Sequence, residues 1–290
     1  MKTLNIVGAG RVGRTLGRLW HSAGVFDIQD VLSRTPHGAR SAVVFIGAGR
    51  AADWLEQMRP AEVWMLTPPD ARIASCCEAL AAAALLRAGD IVFHCSGALS
   101  SEELARAVGH GAKTASVHPL KSFAEPGVAA ETFVGTYCAA EGDGAALEVV
   151  RSAFERIGAH VTQIEVRQKT IYHAASVIVC NYLVALMEAG LRCYEQAGLG
   201  RETALAMMEP LVRETVDNVF KLGPARALTG PVARGDDAVV AGHLAALGAW
   251  DADIGALYRQ LGTVALDLAR TQGEASSEAL TRLADVLRER

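Results

Sequence analysis

No C-x-x-C pair occurs anywhere in this 290-residue chain. Its cysteines, at 76, 77, 95, 138, 180 and 193, read as reduced thiols of a cytoplasmic protein. A zinc site built from His94, Cys95 and His118 lacks a fourth ligand at any recognisable spacing, so no metal is expected. Nor is there an excess of positive charge. The formal net charge is −4 and the pI about 6.1, which argues against nucleic-acid and membrane-surface partners. Long apolar runs are missing too. "ALAAAALL" at 79–86 is too short to cross a bilayer. No secretory signal is expected, because the apolar start runs straight into a glycine turn. Apart from a doubled "GAGR" there is no internal repeat, and no low-complexity linker.

What is present is alternation. The runs "TLNIVG", "DIQDVLS", "AVVFIG", "EVWMLT", "DIVFHCS", "TASVH", "TYCAA" and "HVTQIE" read as strands, and helical stretches separate them. That spacing predicts βαβ units and a doubly wound parallel α/β sheet of the Rossmann kind over residues 1–165. Beyond about Val166 the chain is Ala-, Leu-, Glu- and Arg-rich, which predicts an all-α domain over 166–290. Apolar residues make up 51% of the sequence, enough for two modest domains with sizeable cores.

The first "GAGR" lies in "IVGAGRVG", between a strand and a helix. Gly8 permits the tight turn, Gly10 lets backbone approach a pyrophosphate, and Gly13 lets helix and strand touch. Unpaired N–H groups at the helix start, around Arg11 and Val12, suit the anion. This is read as the dinucleotide site. The second copy, "FIGAGRAA" at 45–52, is read as a corner after the third strand, away from the point where strand order reverses. At the end of the second strand stand Ser33, Arg34 and Thr35, where an NAD site usually carries an acid. A guanidinium and two hydroxyls suit a 2′-phosphate, so NADP is expected over NAD. Asp30 lies a full pleat too early to take the acid's place.

Other candidates sit at later strand ends. Leu66, Thr67 and Pro68 fall where a cofactor lies, and Asp70 reads as a helix cap. Ser96 and Gly97 are free to meet nicotinamide or substrate, while Ser100 and Glu103 read as a capping box. His118, just before Pro119, is suited either to line a cleft or to make a structural hydrogen bond. On the first helix of the second domain Lys169 and His173 are i and i+4, on one face. Asn181 lies about 80° round from His173. Arg234, in a loop fixed by glycine and proline, either pairs with Asp236 or Asp237 or holds a substrate carboxylate.

Taken together, "GAGRVG", "TPPD", "FHCSGALSS", "SVHPLKSF", "YHAAS…NYLVAL" and "ALTGPVARGD" resemble the predicted oxidoreductases that join a Rossmann-like domain to a C-terminal helical domain of unknown function. That group is similar to the 6-phosphogluconate and β-hydroxyacid dehydrogenases, ketopantoate reductases, pyrroline-carboxylate reductases and prephenate dehydrogenases. The resemblance implies hydride transfer between NADPH and a small oxo acid of the ketopantoate type. Lys169 then matches the acid/base lysine of a K-x-x-x-N pattern, with His173 in the asparagine's place. Ser96-Gly97 and His118-Pro119-Leu120 match that superfamily's "ST" and "HPM" loops. Asn181 and Arg234 are the expected substrate contacts. Two other functions fit the same residues: reduction of an imine, and a non-catalytic NADP-binding sensor or assembly protein. Apolar stripes around 183–191 and 238–249 predict a homodimer built through the helical domain.

Overall fold

A strand, a turn and a helix open the fold, and the unit recurs. β1 (Lys2–Val7) leads into α1 (Arg11–Ser22), β2 (Phe26–Leu32) into α2 (Pro36–Ile46), and β3 is only Arg50–Ala52. β4 (Val63–Leu66) precedes α3 (Ile73–Ala82), β5 (Ile91–His94) precedes α4 (Ala105–Gly109), and β6 (Lys113–Pro119) precedes α5 (Pro126–Glu131). β7 (Tyr137–Gly142), α6 (Gly144–Glu155) and β8 (His160–Gln163) complete one sheet in the computed structural model, which describes residues 1–288.

The sheet order is β3-β2-β1-β4-β5-β6-β7-β8. The strands from β1 to β6 are mutually parallel, as a doubly wound Rossmann-like sheet requires. β7 runs antiparallel to β6, and β8 is parallel to β7, so the last two strands reverse the expected direction. Strand order turns around between β1 and β4, the crevice where such sheets bind ligands.

Each face of the sheet is covered. On one, Trp20 of α1 meets Phe26, Phe93 and Phe154 edge-on, with ring centroids 5.4, 6.1 and 5.2 Å away. Its indole N–H donates to Ala153 O at 3.0 Å, so the ring is buried without an orphan donor. On the other face Trp64, Leu66, Cys77, Leu80 and Leu104 pack together.

One expected strand is a helix. "AVVFIG" forms the end of α2, where Ala39, Ala42 and Ile46 are buried at helical spacing. Thr35 caps that helix by accepting from Gly38 N, and Pro36 fixes its first turn. Gly47 then ends it in the left-handed conformation, φ 85°. The second "GAGR" is therefore a helix-to-strand turn feeding β3, not the strand-to-helix turn a pyrophosphate needs.

Two compact units divide the chain, Met1–Asn181 and a second beginning at Tyr182. The helix α7 (Lys169–Gln196) runs through that point. The second unit continues with α8 (Arg201–Leu222), α9 (Pro224–Ala227), α10 (Gly230–Arg234), α11 (Asp237–Trp250), α12 (Ala252–Gln272) and α13 (Ser277–Arg288). Val240, Leu244, Leu266, Ala269, Leu280 and Leu283 form its main core. By length and composition alone, the helical stretch Val166–Gln196 is long and apolar enough to cross a membrane, although it holds no unbroken apolar run of that length.

Candidate active site

The first glycine turn is built by close approach. Gly8 has φ +92°, and a Cβ there would stand 2.4 Å from Pro68 N and 2.6 Å from the Thr67 carbonyl carbon. The Thr67 hydroxyl donates to Gly8 O at 3.0 Å. A Cβ on Gly13 would meet that same hydroxyl oxygen at 2.5 Å and Ile6 Cγ2 at 3.4 Å, so α1 can lie on the sheet only with glycine there. Leu66, Thr67 and Pro68 thus wall one side of the turn. Gly10 differs. Its Cβ would find only Gly8 O, at 3.8 Å, so open space faces it. No side chain caps the start of α1, where Arg11 and Val12 begin the helix. A cradle open at Gly10 and uncapped at a helix start fits the pyrophosphate of a dinucleotide.

At the end of β2, Arg34 is exposed and Ser33 half-buried. The Thr35 hydroxyl is occupied, because it caps α2 at 3.1 Å. Asp30 is fully buried and bound by both Arg50 and Arg59, at 2.9 and 2.8 Å. Burial alone would raise its pKa, but those two guanidinium groups hold it below the usual carboxylate range. The arginine of the second "GAGR" is thus a partner of Asp30, and that acid is not free for a ribose hydroxyl.

Further along the carboxyl edge, several expectations need correction. Asp70 does not cap a helix; its carboxylate accepts from the Ser96 hydroxyl at 2.8 Å. Ser96 is not free at a strand tip. It is buried, and its oxygen also accepts from the N–H groups of Ala98 and Leu99 at 3.2 and 3.0 Å. The capping box is absent too, since the Ser100 hydroxyl turns to Glu102 at 3.3 Å. His94 is structural: Nδ1 accepts from Ser96 N–H at 3.2 Å, and Nε2 donates to Ser100 O at 2.9 Å. Burial pushes its pKa down to about 4.

Strand register explains what lies beside it. His94 pairs with Ser116, and Ser116 with Glu141, so one polar row crosses β5, β6 and β7. Lys169, at the start of α7, closes over this row. Its ammonium donates to Ser116 Oγ and pairs with Glu141 at 3.4 Å. Only 2% of the lysine side chain and 1% of the glutamate's remain exposed. Burial lowers the lysine's pKa, and Glu141 opposes that shift. Lys169 is therefore not the open acid that the sequence pattern suggested.

One helical turn on, and two residues along β6, the same two faces bring His173 to His118. Their ring centroids are 5.6 Å apart. The Tyr172 hydroxyl lies 3.2 Å from His118 Nδ1. Burial, reinforced by His173 and Lys169, pushes His118 down to about 4, and burial pushes Tyr172 up to about 12. Both partners of this hydrogen bond are therefore neutral. His173 Nδ1 is buried with no hydrogen-bond partner among the described residues. Both rings crowd Gly97. A Cβ there would stand 2.4 Å from His173 Nδ1 and 2.8 Å from His118 Nε2. The structure thus joins the glycine turn to the imidazole pair through Thr67, Pro68, Asp70, Ser96 and Gly97.

Asn181 is exposed, and Arg234, in the second unit, pairs with Asp236 at 2.9 Å. Tyr172 and Glu141 were not singled out from sequence. Tyr172 adjoins His173 in a helix and reads as core, while the partner of Glu141 is visible only from strand register.

Two family models match the chain: a Rossmann-like domain over residues 2–119, and a domain of unknown function, DUF2520, over residues 136–265. No curated protein matches the sequence. Among solved structures, protein TM1727 from Thermotoga maritima is 29% identical, with a TM-score of 0.74 over 93% of this chain and 99% of its own. BF3122 from Bacteroides fragilis, a candidate NADP oxidoreductase, is 21% identical, with a TM-score of 0.70 over 91% and 97%. A pyrroline-5-carboxylate reductase from Coxiella burnetii is 16% identical, with a TM-score of 0.58 over 93% and 98%. The likeness covers nearly the whole of each chain and bears out the fold read from the motifs.

Proposed function

We propose that this protein is an NADP-dependent oxidoreductase that transfers hydride between NADPH and a small oxo acid of the ketopantoate type. The observation that carries the reading is the convergence of His118 and His173 on Gly97, with the open glycine turn on the same sheet edge. The likeness to BF3122 supports the cofactor class. Bound NADPH supplies the hydride. The cradle around Gly10 holds its pyrophosphate, and Arg34 with Ser33 receives its 2′-phosphate.

The imidazoles meet the reacting group. His173 has a buried ring nitrogen without a partner, and a substrate oxygen or nitrogen would satisfy it. His118, kept neutral by burial, would hydrogen-bond the reacting oxygen of the substrate beside Gly97, and solvent would supply the proton that completes the alcohol. Lys169 and Ser96, both committed to buried bonds, hold the surrounding elements.

The test is a substrate panel read by NADPH absorbance: ketopantoate, pyrroline-carboxylate and short 2-oxo acids. Turnover of an oxo acid that His173→Ala abolishes supports the reading. Turnover of the pyrroline ring alone favours imine reduction, the activity in the name of the Coxiella enzyme of similar fold. NADPH binding without turnover of any member favours a sensor.

We also propose that a second copy of the chain covers the middle of α7, where Ile178, Val179, Tyr182 and Val184 are exposed on several sides. Both ends of that helix are held by protein: Lys169 in the first unit, and Glu188 and Glu195 by Arg201 in the second. A homodimer in light scattering supports this; a monomer overturns it.

A further inference from the structure

Glu141 touches neither imidazole, yet it joins the two elements that carry the site. Its Oε1 accepts from Ser101 N–H at 2.9 Å and Oε2 from the Ser101 hydroxyl at 2.7 Å. Its remaining partner is Lys169, one turn before His173 on the same helix. The loop from Ser96 to Ser101 is anchored by Asp70, Ser116 and His94 on Ser96, by His94 on Ser100, and by Glu141 on Ser101. Of these, Ser116 and Glu141 also reach α7, both through Lys169, and Glu141 carries the charge that pairs with it. Gly97 lies in that loop with no side chain of its own, against rings that leave no slack.

Buried charge pairs of this kind are costly, because desolvation offsets most of their attraction. An apolar pair of similar volume would spare that desolvation, but it would leave the Ser101 N–H without its acceptor. What the charged pair adds is fixed geometry: a carboxylate that takes two bonds from Ser101 and one from Lys169 sets the distance between loop and helix.

We propose that Glu141 is a positioning residue, which through Ser101 and Lys169 fixes Gly97 against His118 and His173. The proposal deepens the oxidoreductase reading, and its first test is independent of turnover. In the full chain, nuclear Overhauser contacts from Gly97 Hα to the ring protons of His118 and His173 report the geometry directly. These contacts are expected in the wild type, and their absence there overturns the proposal. They should be lost in Glu141→Gln, with NADPH binding retained in calorimetry. A double variant, Glu141→Leu with Lys169→Met, guards against misfolding. It is expected to recover much of the urea midpoint lost in Lys169→Met alone, without restoring the contacts. For a substrate found by the panel, kcat should then remain about 10–100-fold low with KM little changed, as a displacement of about 1 Å would cause. Contacts at full strength in both variants, or recovery of kcat along with the midpoint, would show that Glu141 is merely structural. If no substrate is found, the contacts still decide this proposal, so it and the functional reading fail separately.

Discussion

The Tyr172 hydroxyl lies 3.2 Å from His118 Nδ1, in surroundings whose burial keeps the imidazole neutral. The same neutrality makes the fold acid-sensitive. Burial holds His94 and His118 at about 4, against 6.5 in the unfolded chain. Above pH 6.5 neither state binds a proton at these rings, and their contribution to stability is intact. As pH falls from 6.5 toward 4 only the unfolded chain takes them up, so stability is lost. The loss amounts to about 2 kcal/mol per histidine at pH 5. Urea unfolding at pH 7 and pH 5 should show this drop, with a smaller drop in His94→Gln. A midpoint independent of pH over that range would contradict it.

The buried Lys169–Glu141 pair should behave differently when broken than when replaced. Lys169→Ala leaves a carboxylate buried with Ser101 as its remaining partner, which should cost about 3–5 kcal/mol in urea unfolding. Exchanging both residues for Met and Leu should cost far less. Additive costs of the two single changes in the double variant would show that the charges do not interact.

The doubled glycine turn can be separated by substitution. A side chain at Gly10 enters open space, so Gly10→Val should fold normally and lose NADPH binding. Gly49 has φ +91°, and a Cβ there would press on Ile28 and Val31 at 3.2 Å. Gly49→Ala should therefore lose about 1–2 kcal/mol of stability, from left-handed backbone strain, and keep its NADPH affinity. Calorimetry paired with urea unfolding checks both, and equal losses of affinity would overturn the assignment.

Much of this was legible from local pattern. The glycine turn, the Lys169–His173 face and the strand-end position of His118 each depend on residues close in sequence or on one periodicity. The run "AVVFIG" misled because a short apolar stretch reads alike as strand or buried helix; Thr35 and Pro36, seven and six residues before its start, decide for helix. Ser96 looked free because its partner Asp70 is 26 residues away in the chain. Lys169 looked catalytic because nothing local announces Glu141. Only the pairing of β6 with β7 sets that acid beside Ser116 and beneath the lysine. Apart from that run and the reversed direction of β7 and β8, long-range polar partners were what the sequence hid.

Titration calorimetry with NADPH and NADH shows whether the first turn holds NADP with its 2′-phosphate at Arg34. Arg34 is exposed at the end of β2, while Asp30, the acid nearest that strand end, is bound by Arg50 and Arg59. Wild-type protein should bind NADPH more tightly than NADH. Arg34→Ala should reduce that preference by about 10–100-fold, the worth of one charge-assisted hydrogen bond of ~1.5–3 kcal/mol. Equal affinity for the two cofactors, or a preference unchanged in Arg34→Ala, would contradict the account.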